Sequence, residues 1–171
     1  MRNIENWLSR EELQSIYSSS YWNNAEEEKK KEWWIEEGGY EKCLNYLKSS
    51  KLLYEYEESE KFINNFLGDA LRVVDLAAGI GWTSSLISKL PKVAEVHAVE
   101  ISKHRLDSLF QHSVKMLSGK DEKIFRYLGS SYDLHFKDKS MDIIYVLKEN
   151  GRIILVGEHY IGAKKIIRRF L

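Results

Sequence analysis

The sequence predicts an α/β fold in which a mostly parallel sheet is flanked by helices. From residue 72 onward, short apolar runs rich in β-branched residues alternate with segments of helical periodicity, which is typical of parallel strands joined by crossover helices. Residues 1–68 instead show amphipathic helical patterns. We therefore expect one compact domain, with an N-terminal helical cap segment at residues 1–68 and a strand-and-helix core at residues 69–171.

The composition is that of an ordinary folded domain. The 171 residues include 26 Lys and Arg against 26 Asp and Glu, so no global positive field favours nucleic acid, and we expect no nucleic-acid partner. Cys43 is the only cysteine, which excludes an internal disulfide and favours a reducing compartment. No run approaches the roughly 20 apolar residues of a membrane span. The expectation is a cytoplasmic protein that does not enter membranes.

The N-terminal segment is unusually aromatic. Its large aromatic side chains are Trp7, Tyr17, Tyr21, Trp22, Trp33, Trp34 and Tyr40. Most of them predict packing between helices, since aromatic side chains bury large apolar areas. Glu26 and Lys30, four residues apart in the favourable order, indicate a solvated helix face, and Gly38-Gly39 is expected to end that helix.

The core is organised around residues 72–83. A short β-branched run ends in Asp75 and is followed by a tight turn that contains Gly79 and Gly81. The helix that follows carries its apolar residues on one face: Trp82, Leu86, Ile87 and Leu90. Glycines let the backbone approach a ligand closely, and the first N–H groups of a helix have no partner within it. The turn therefore predicts a site for the charged or polar end of a nucleotide-type ligand.

A second acidic residue follows the glycine turn at the spacing typical of nucleotide-binding βαβ units. Residues 94–99 form the next predicted strand, and Glu100 ends it. In a βαβ unit such an acid faces the ligand ribose, and its carboxylate can accept from both ribose hydroxyls. The spacing from the glycine turn is close to the roughly 20 residues expected of a dinucleotide fingerprint. Gly79, Gly81 and Glu100 therefore predict a ribose-bearing ligand on a Rossmann-like sheet.

The third predicted strand, residues 124–128, adds a polar residue at the same edge. Ser130 follows this strand closely, as Asp75 ends the first strand and Glu100 the second. Ligands of parallel sheets bind beyond the carboxyl ends of the strands. The three positions therefore predict one shared site.

The glycine turn resembles motif I of the class I S-adenosylmethionine-dependent methyltransferases, in their Rossmann-like, small-molecule type. The family pattern is acid-x-Gly-x-Gly-x-Gly, and Asp75, Ala77, Gly79 and Gly81 match it, with Ala77 in place of the first glycine. The resemblance implies that S-adenosyl-L-methionine is the cofactor. It also implies the activity, which is transfer of the sulfonium methyl group to a nucleophilic O, N or C of an acceptor.

The resemblance assigns a role to each residue of the predicted site. Glu100 is expected to hold the ribose hydroxyls, and Asp75 to help organise the loop around the methionine amino group. Ile101 is expected to pack on the adenine. Ser130 and Ser131 are expected to meet the adenine edge, with Ser130 standing where the family commonly has an acid.

The likeness covers about residues 70–159 but departs from the family after the fourth strand. A parallel fifth strand requires a crossover of a dozen or more residues, and almost none separate residues 143–145 from the run at 152–156. The residues alone predict an antiparallel hairpin, with Asn150-Gly151 at its turn. The resemblance predicts that a crossover is missing here, and we favour that alternative. The family's two final strands are not found either, so the predicted sheet is truncated.

The acceptor site is predicted with less support from the residues. In the resembling family an N-terminal helical segment often lies over the cofactor, which makes Tyr17, Tyr21 and Trp22 candidates for the acceptor pocket. His159 follows a strand end and is a candidate base for an acceptor hydroxyl. The histidines show no metal-ligand spacing, so no metal ligand is assigned. Balanced charge and the aromatic segment favour a small-molecule acceptor.

Two other functions stay open. The same turn and Glu100 would also suit a NAD-dependent oxidoreductase. The dinucleotide-binding pattern, however, requires a third small residue, Gly or Ala, for helix packing, and Ser84 at that position matches it only approximately. A degenerate, non-catalytic module that binds S-adenosylmethionine fits the short connection after strand four and the serine at position 130.

Overall fold

The computed structural model describes residues 2–18, 38–147 and 153–156. The described strands are β1 (Glu5–Asn6), β2 (Leu71–Leu76), β3 (Val93–Glu100), β4 (Ile124–Leu128), β5 (Ile143–Leu147) and β6 (Ile153–Val156). The described α-helices are α1 (Arg10–Ser18), α2 (Gly39–Ser49), α3 (Leu52–Phe66), α4 (Trp82–Ile87) and α5 (Phe110–Met116). A π-helical turn, Arg105–Leu109, leads into α5.

The strands form one six-stranded sheet in the order β1-β4-β3-β2-β5-β6. All neighbouring pairs are parallel except β5 with β6. Five of the six residues of the central strand β2 are buried, as expected of a strand covered on both faces. The predicted fold class, a mostly parallel Rossmann-like α/β sheet, is confirmed.

Strand β1 was not predicted from the sequence. It lies at the sheet edge parallel to β4, where Glu5 pairs with Tyr127 and Asn6 with Leu128. The N–H of Trp7 extends the pairing by donating to the carbonyl of Leu128 at 2.9 Å. A strand of two exposed residues has no apolar alternation for sequence reasoning to detect.

The connection after β5 follows the hairpin alternative. β5 and β6 are antiparallel, with Ile144 opposite Val156 and Leu147 opposite Ile153. These residues thus pair as the hairpin alternative predicts, which needs no crossover helix. The favoured expectation, that a crossover is missing from this sequence, stays a prediction. The match of residues 146–148 to the end of a family helix was misleading, since Val146 and Leu147 belong to a strand.

The two faces of the sheet pack against different groups of residues. One face packs on the helices, with Cys43 of α2, Ile63 of α3 and Phe110 of α5 in the same buried cluster. The other face carries a smaller cluster of four buried residues, Val74, Leu76, Val99 and Tyr127. Partly buried Trp7, which follows β1, packs against that smaller cluster.

The glycine pair at positions 38 and 39 begins a helix. Gly38 has a φ of +75° and precedes α2, whose first residue is Gly39. Its expected role at the end of a preceding helix concerns residues outside the described part of the chain. Among the described residues, no helix is both long enough and apolar enough to cross a membrane.

Candidate functional site

The carboxyl ends of three neighbouring strands are tied together by backbone hydrogen bonds. The N–H of Ala78, in the turn after β2, donates to the carbonyl of Val99 in β3 at 3.1 Å. The N–H of Gly129, just after β4, donates to the carbonyl of Glu100 at 3.0 Å. The glycine turn, the end of β3 and the loop that begins at Gly129 therefore form one contiguous edge.

The turn itself follows a left-handed path at three positions. Ala77, Gly79 and Gly81 have φ values of +54°, +58° and +80°. Gly81 is also required by packing, because a Cβ at this position would lie 2.5–2.7 Å from ring carbons of Phe110. The turn thus places the start of α4 directly against the α5 side chain.

The alanine that replaces the first motif glycine has a measurable consequence. A left-handed conformation strains a residue with a Cβ by about 1–2 kcal/mol, while glycine loses about 0.5–1 kcal/mol of chain entropy on folding. We expect Ala77→Gly to raise the free energy of unfolding by about 0.5–1 kcal/mol in urea denaturation. Ala78→Gly, a neighbour without a positive φ, should lower it instead. Equal losses in both variants would contradict the prediction.

Glu100 joins the glycine turn to the end of β3. Its Oε2 accepts the N–H of Gly79 at 2.7 Å, and its Oε1 accepts the N–H of Ser102 at 2.8 Å. The guanidinium Nη1 of Arg105 lies 3.9 Å from Oε1 and supplies a positive charge nearby. A carboxylate can accept about four hydrogen bonds, so capacity for two more donors is left. The residue is only 2% exposed, so the carboxylate is covered by its surroundings in this structure.

Asp75 is an internal link between β2 and α4. Its Oδ2 accepts hydrogen bonds from Thr83 Oγ1 at 2.7 Å and from Ser84 Oγ at 2.5 Å. Burial raises the pKa of this carboxyl from its ordinary 3.8 to about 6, although the two hydroxyl bonds oppose the shift. Both donors lie in the first turn of α4, so Asp75 fixes the helix start and through it the glycine turn.

The raised pKa predicts a pH-dependent stability. The fold favours the protonated carboxyl, so the contribution of Asp75 is fully present below about pH 3.8 and is lost as the pH rises through about 6. Asp75→Asn stays neutral throughout. Its free energy of unfolding, relative to the unsubstituted chain, should therefore rise by up to roughly 3 kcal/mol between about pH 4 and 6. Urea denaturation across this range measures the difference, and a constant difference would contradict the assignment.

The residues predicted to meet the adenine lie at the same edge. Ile101 is partly buried and packs against the main core. Ser130 follows Gly129 directly, and its Oγ accepts the N–H of Tyr132 at 3.2 Å. Ser131 is also partly buried. Ile101 follows Glu100 in the chain, and the bond from Gly129 to the Glu100 carbonyl brings the loop of Ser130 and Ser131 to the same edge. Ser130 Oγ already accepts one hydrogen bond within its own loop.

The predicted acceptor residues are placed less favourably. Tyr17, in α1, is 47% exposed and lines a cleft that no residue of the glycine turn lines. Tyr21, Trp22 and His159 lie outside the described residues. The acceptor-pocket assignment thus remains a prediction.

Several site residues were missed by sequence reasoning. Thr83 and Ser84 hold Asp75, and Phe110 closes on Gly81. A run of small hydroxyl residues directly after the turn was the available signal for the first two. Tyr145 of β5 pairs in register with Asp75 and is fully buried.

His97 has structural partners within the core. His97 is buried in β3, where Nδ1 lies 2.9 Å from the hydroxyl of Tyr127 and Nε2 lies 3.0 Å from Glu95 Oε2. Burial lowers the pKa of His97. Within residues 2–18, 38–147 and 153–156, no group of three or more His, Cys, Asp or Glu side chains has an arrangement that would hold a metal ion.

Comparison with known proteins identifies relatives by structure only. The sequence matches no family model, and a search of curated proteins finds no match. A putative S-adenosyl-L-methionine-dependent methyltransferase from Methanococcus maripaludis is similar in structure, with a TM-score of 0.51 and 19% identity over 66% of this chain and 50% of that chain.

Two further solved structures are similar over a smaller part of the chain. The YcgJ protein of Bacillus subtilis has a TM-score of 0.44 and 24% identity over 54% of this chain and 37% of that one. A SAM-dependent methyltransferase from Aquifex aeolicus has a TM-score of 0.41 and 21% identity over 51% and 46% of the two chains. The matches thus span half or less of these structures. The likeness to the Methanococcus protein shows that the chain has the fold of S-adenosylmethionine-dependent methyltransferases.

Proposed function

We propose that this chain binds S-adenosyl-L-methionine at the glycine turn and transfers its methyl group to a small-molecule acceptor. The observation that carries the proposal is the 2.7 Å hydrogen bond from the N–H of Gly79 to Glu100 Oε2. It means that the turn and the acid at the end of the next strand, which the sequence alone predicts to share a ligand, do lie in contact. The methyltransferase fold supports the same conclusion.

The residues at this edge fit the cofactor in different ways. Glu100 would hold the ribose hydroxyls with the acceptor capacity that its two backbone N–H partners leave unused. Gly79 and Gly81 would give the methionine end close access to the backbone. Asp75 is buried and bonded to two hydroxyls, so it would act through the shape of the turn and would not touch the amino group itself.

The binding step requires an opening of the site. At 2% exposure, Glu100 is covered by its surroundings, and Arg105 lies close to one of its oxygens. We therefore propose that Arg105 and the other groups covering Glu100 shift to admit the ribose, while the carboxylate keeps its bonds to the N–H groups of Gly79 and Ser102. Ile101 would then pack on the adenine, with Ser130 and Ser131 at its edge.

Methyl transfer requires mainly that the acceptor is aligned with the methyl group. When bound, S-adenosylmethionine supplies an electrophilic methyl group, so the chain has to orient an acceptor nucleophile in line with it. Tyr17, Tyr21 and Trp22 are proposed to line the acceptor pocket, and His159 is proposed as a base for a hydroxyl acceptor. A small acceptor is favoured by the equal numbers of positive and negative side chains.

A binding module without turnover is the second candidate. The observation that favours it is the antiparallel hairpin of β5 and β6, which stands where the family has a crossover helix and a parallel strand. In that case the same edge would bind the cofactor, and no acceptor would be methylated.

Calorimetry with three ligands tests the proposal. We expect saturable binding of S-adenosylmethionine and S-adenosylhomocysteine and no binding of NADH. Binding of NADH alone would instead indicate an oxidoreductase, and binding of none would contradict the cofactor assignment. Mass spectrometry of S-adenosylhomocysteine formed over a panel of small nucleophiles then separates the enzyme from the module.

A further inference from the structure

A cleft of about 780 Å³ lies beside the helical segment that follows Glu100. It is bordered by α1, by the chain around β1 and by the segment 103–111, and Leu128 of β4 also lines it. None of its lining residues belongs to the glycine turn. Its volume falls in the roughly 300–1,000 Å³ range of small-molecule sites.

Positive charge dominates the lining of this cleft. Three cationic side chains line it, Arg2, Lys103 and Arg126, and Asp107 is the one carboxylate among its lining residues. Lys103 forms an ion pair with Asp107, one helical turn along the chain. The two arginines thus leave the cleft with a net positive charge.

The two arginines are held by neutral groups. Arg126 is 6% exposed and donates from Nη1 to the carbonyl of Leu106 at 2.9 Å and from Nη2 to the carbonyl of Arg2 at 2.8 Å. Arg2 donates from Nη2 to the carbonyl of Glu122 at 3.1 Å, and its guanidinium carbon lies 3.6 Å from the ring centroid of Phe125. These contacts orient both guanidinium groups, and the carboxylates of Asp107 and Asp121 also lie within electrostatic range of Arg126. A buried guanidinium such as that of Arg126 favours an anion placed to accept its remaining N–H groups.

The cleft also offers neutral groups to the rest of a ligand. Tyr17 of α1 supplies a phenol and apolar ring surface, and Gln111 of α5 supplies an amide. We propose that the cleft binds a small organic anion, with its phosphate or carboxylate group against Arg2 and Arg126. No residue of the glycine turn lines the cleft, so anion binding is tested without the cofactor, although Tyr17 is shared with the proposed acceptor pocket.

Amide NMR spectra of the full ¹⁵N-labelled chain, recorded without any cofactor, test the proposal. Inorganic phosphate and glutarate are titrated separately, with sodium chloride at matched ionic strength as the reference. We expect saturable chemical-shift changes of the Lys103, Gln111 and Leu128 amides with at least one of the two anions. The anion that binds with higher affinity shows whether the site prefers a phosphate or a carboxylate group. Equal shifts with chloride, or no saturation with either anion, would overturn the proposal.

Substitutions of the two arginines, with one control, identify the positive charge that binds the anion. Arg2→Gln should weaken anion affinity about tenfold, because a charge-assisted hydrogen bond is lost. Lys48→Gln, in α2 away from the cleft, removes an exposed positive charge and should leave the affinity unchanged. Arg126→Gln gives a second test, since an amide can still donate to one of the two carbonyls. Unchanged affinity in both arginine variants would also overturn the proposal.

Discussion

Glu100→Gln should weaken S-adenosylhomocysteine binding about 10–100-fold. The amide keeps the size of the side chain but turns one charged acceptor into an NH₂ donor, which cannot accept a ribose hydroxyl. Hydrogen bonds to charged groups contribute about 1.5–3 kcal/mol each, and this sets the range. Isothermal titration calorimetry measures the change, with urea denaturation of the same variant to confirm that it is folded at the titration temperature.

Glu95→Gln is the matched control for this prediction. Glu95 lies on the same strand, contacts His97 and is partly exposed, whereas Glu100 is buried at the strand end. The control should bind the ligand as the unsubstituted chain does. If Glu100→Gln also binds with unchanged affinity, the carboxylate does not hold the ribose.

Gly81→Ala should lower the free energy of unfolding by about 2–5 kcal/mol. The new Cβ would lie within 2.7 Å of the Phe110 ring, and such overpacking of a core costs about 1–3 kcal/mol. The φ of +80° adds about 1–2 kcal/mol of strain for a residue with a Cβ. Urea denaturation measures the loss, and we expect ligand affinity to fall with it because α4 begins at the turn.

Alanine substitutions at two other glycines distinguish the packing cost at position 81 from the cost of backbone strain. Gly79→Ala has a similar positive φ, but its Cβ would meet only the carbonyl oxygen of Ala77 at 3.9 Å, so it should cost about 1–2 kcal/mol. Gly68→Ala would meet nothing within 4 Å, has no positive φ and should be nearly neutral. If the losses at positions 79 and 81 are equal, the Phe110 contact is not a source of the effect.

The sequence predicted the parallel core well because its signals are local. The run before Asp75, the glycines after it and the acid at position 100 each mark the end of a strand, and parallel strands bring such ends to one edge. The hydrogen bond between Gly79 and Glu100 agrees with this reasoning. The roles of these residues toward a ligand remain predictions.

Other features depend on distant contacts that leave no pattern along the chain. Strand β1 is two residues long, and its place beside β4 follows from pairing with Tyr127 and Leu128. The fit of Phe110 against Gly81 joins residues 29 positions apart by packing alone. The closed environment of Glu100 combines local contacts with Ser102 and Arg105 with a hydrogen bond from Gly79, 21 positions away.

The hairpin of β5 and β6 illustrates how a resemblance can mislead. The residues themselves predicted an antiparallel pair from the Asn150-Gly151 turn signal, and β5 does pair antiparallel with β6. The family pattern favoured a helix at the same positions. The strand assignment of Val146 and Leu147 follows the residues and not the family pattern, while a missing crossover stays a prediction.

A crystal structure of the chain with S-adenosylhomocysteine tests the central claim most directly. We predict that the ribose hydroxyls lie within about 3.2 Å of the Glu100 carboxylate oxygens, with the backbone of Gly79 and Gly81 against the amino-acid end of the ligand. A ligand bound elsewhere, with Glu100 still facing only the N–H groups of Gly79 and Ser102, would contradict the account.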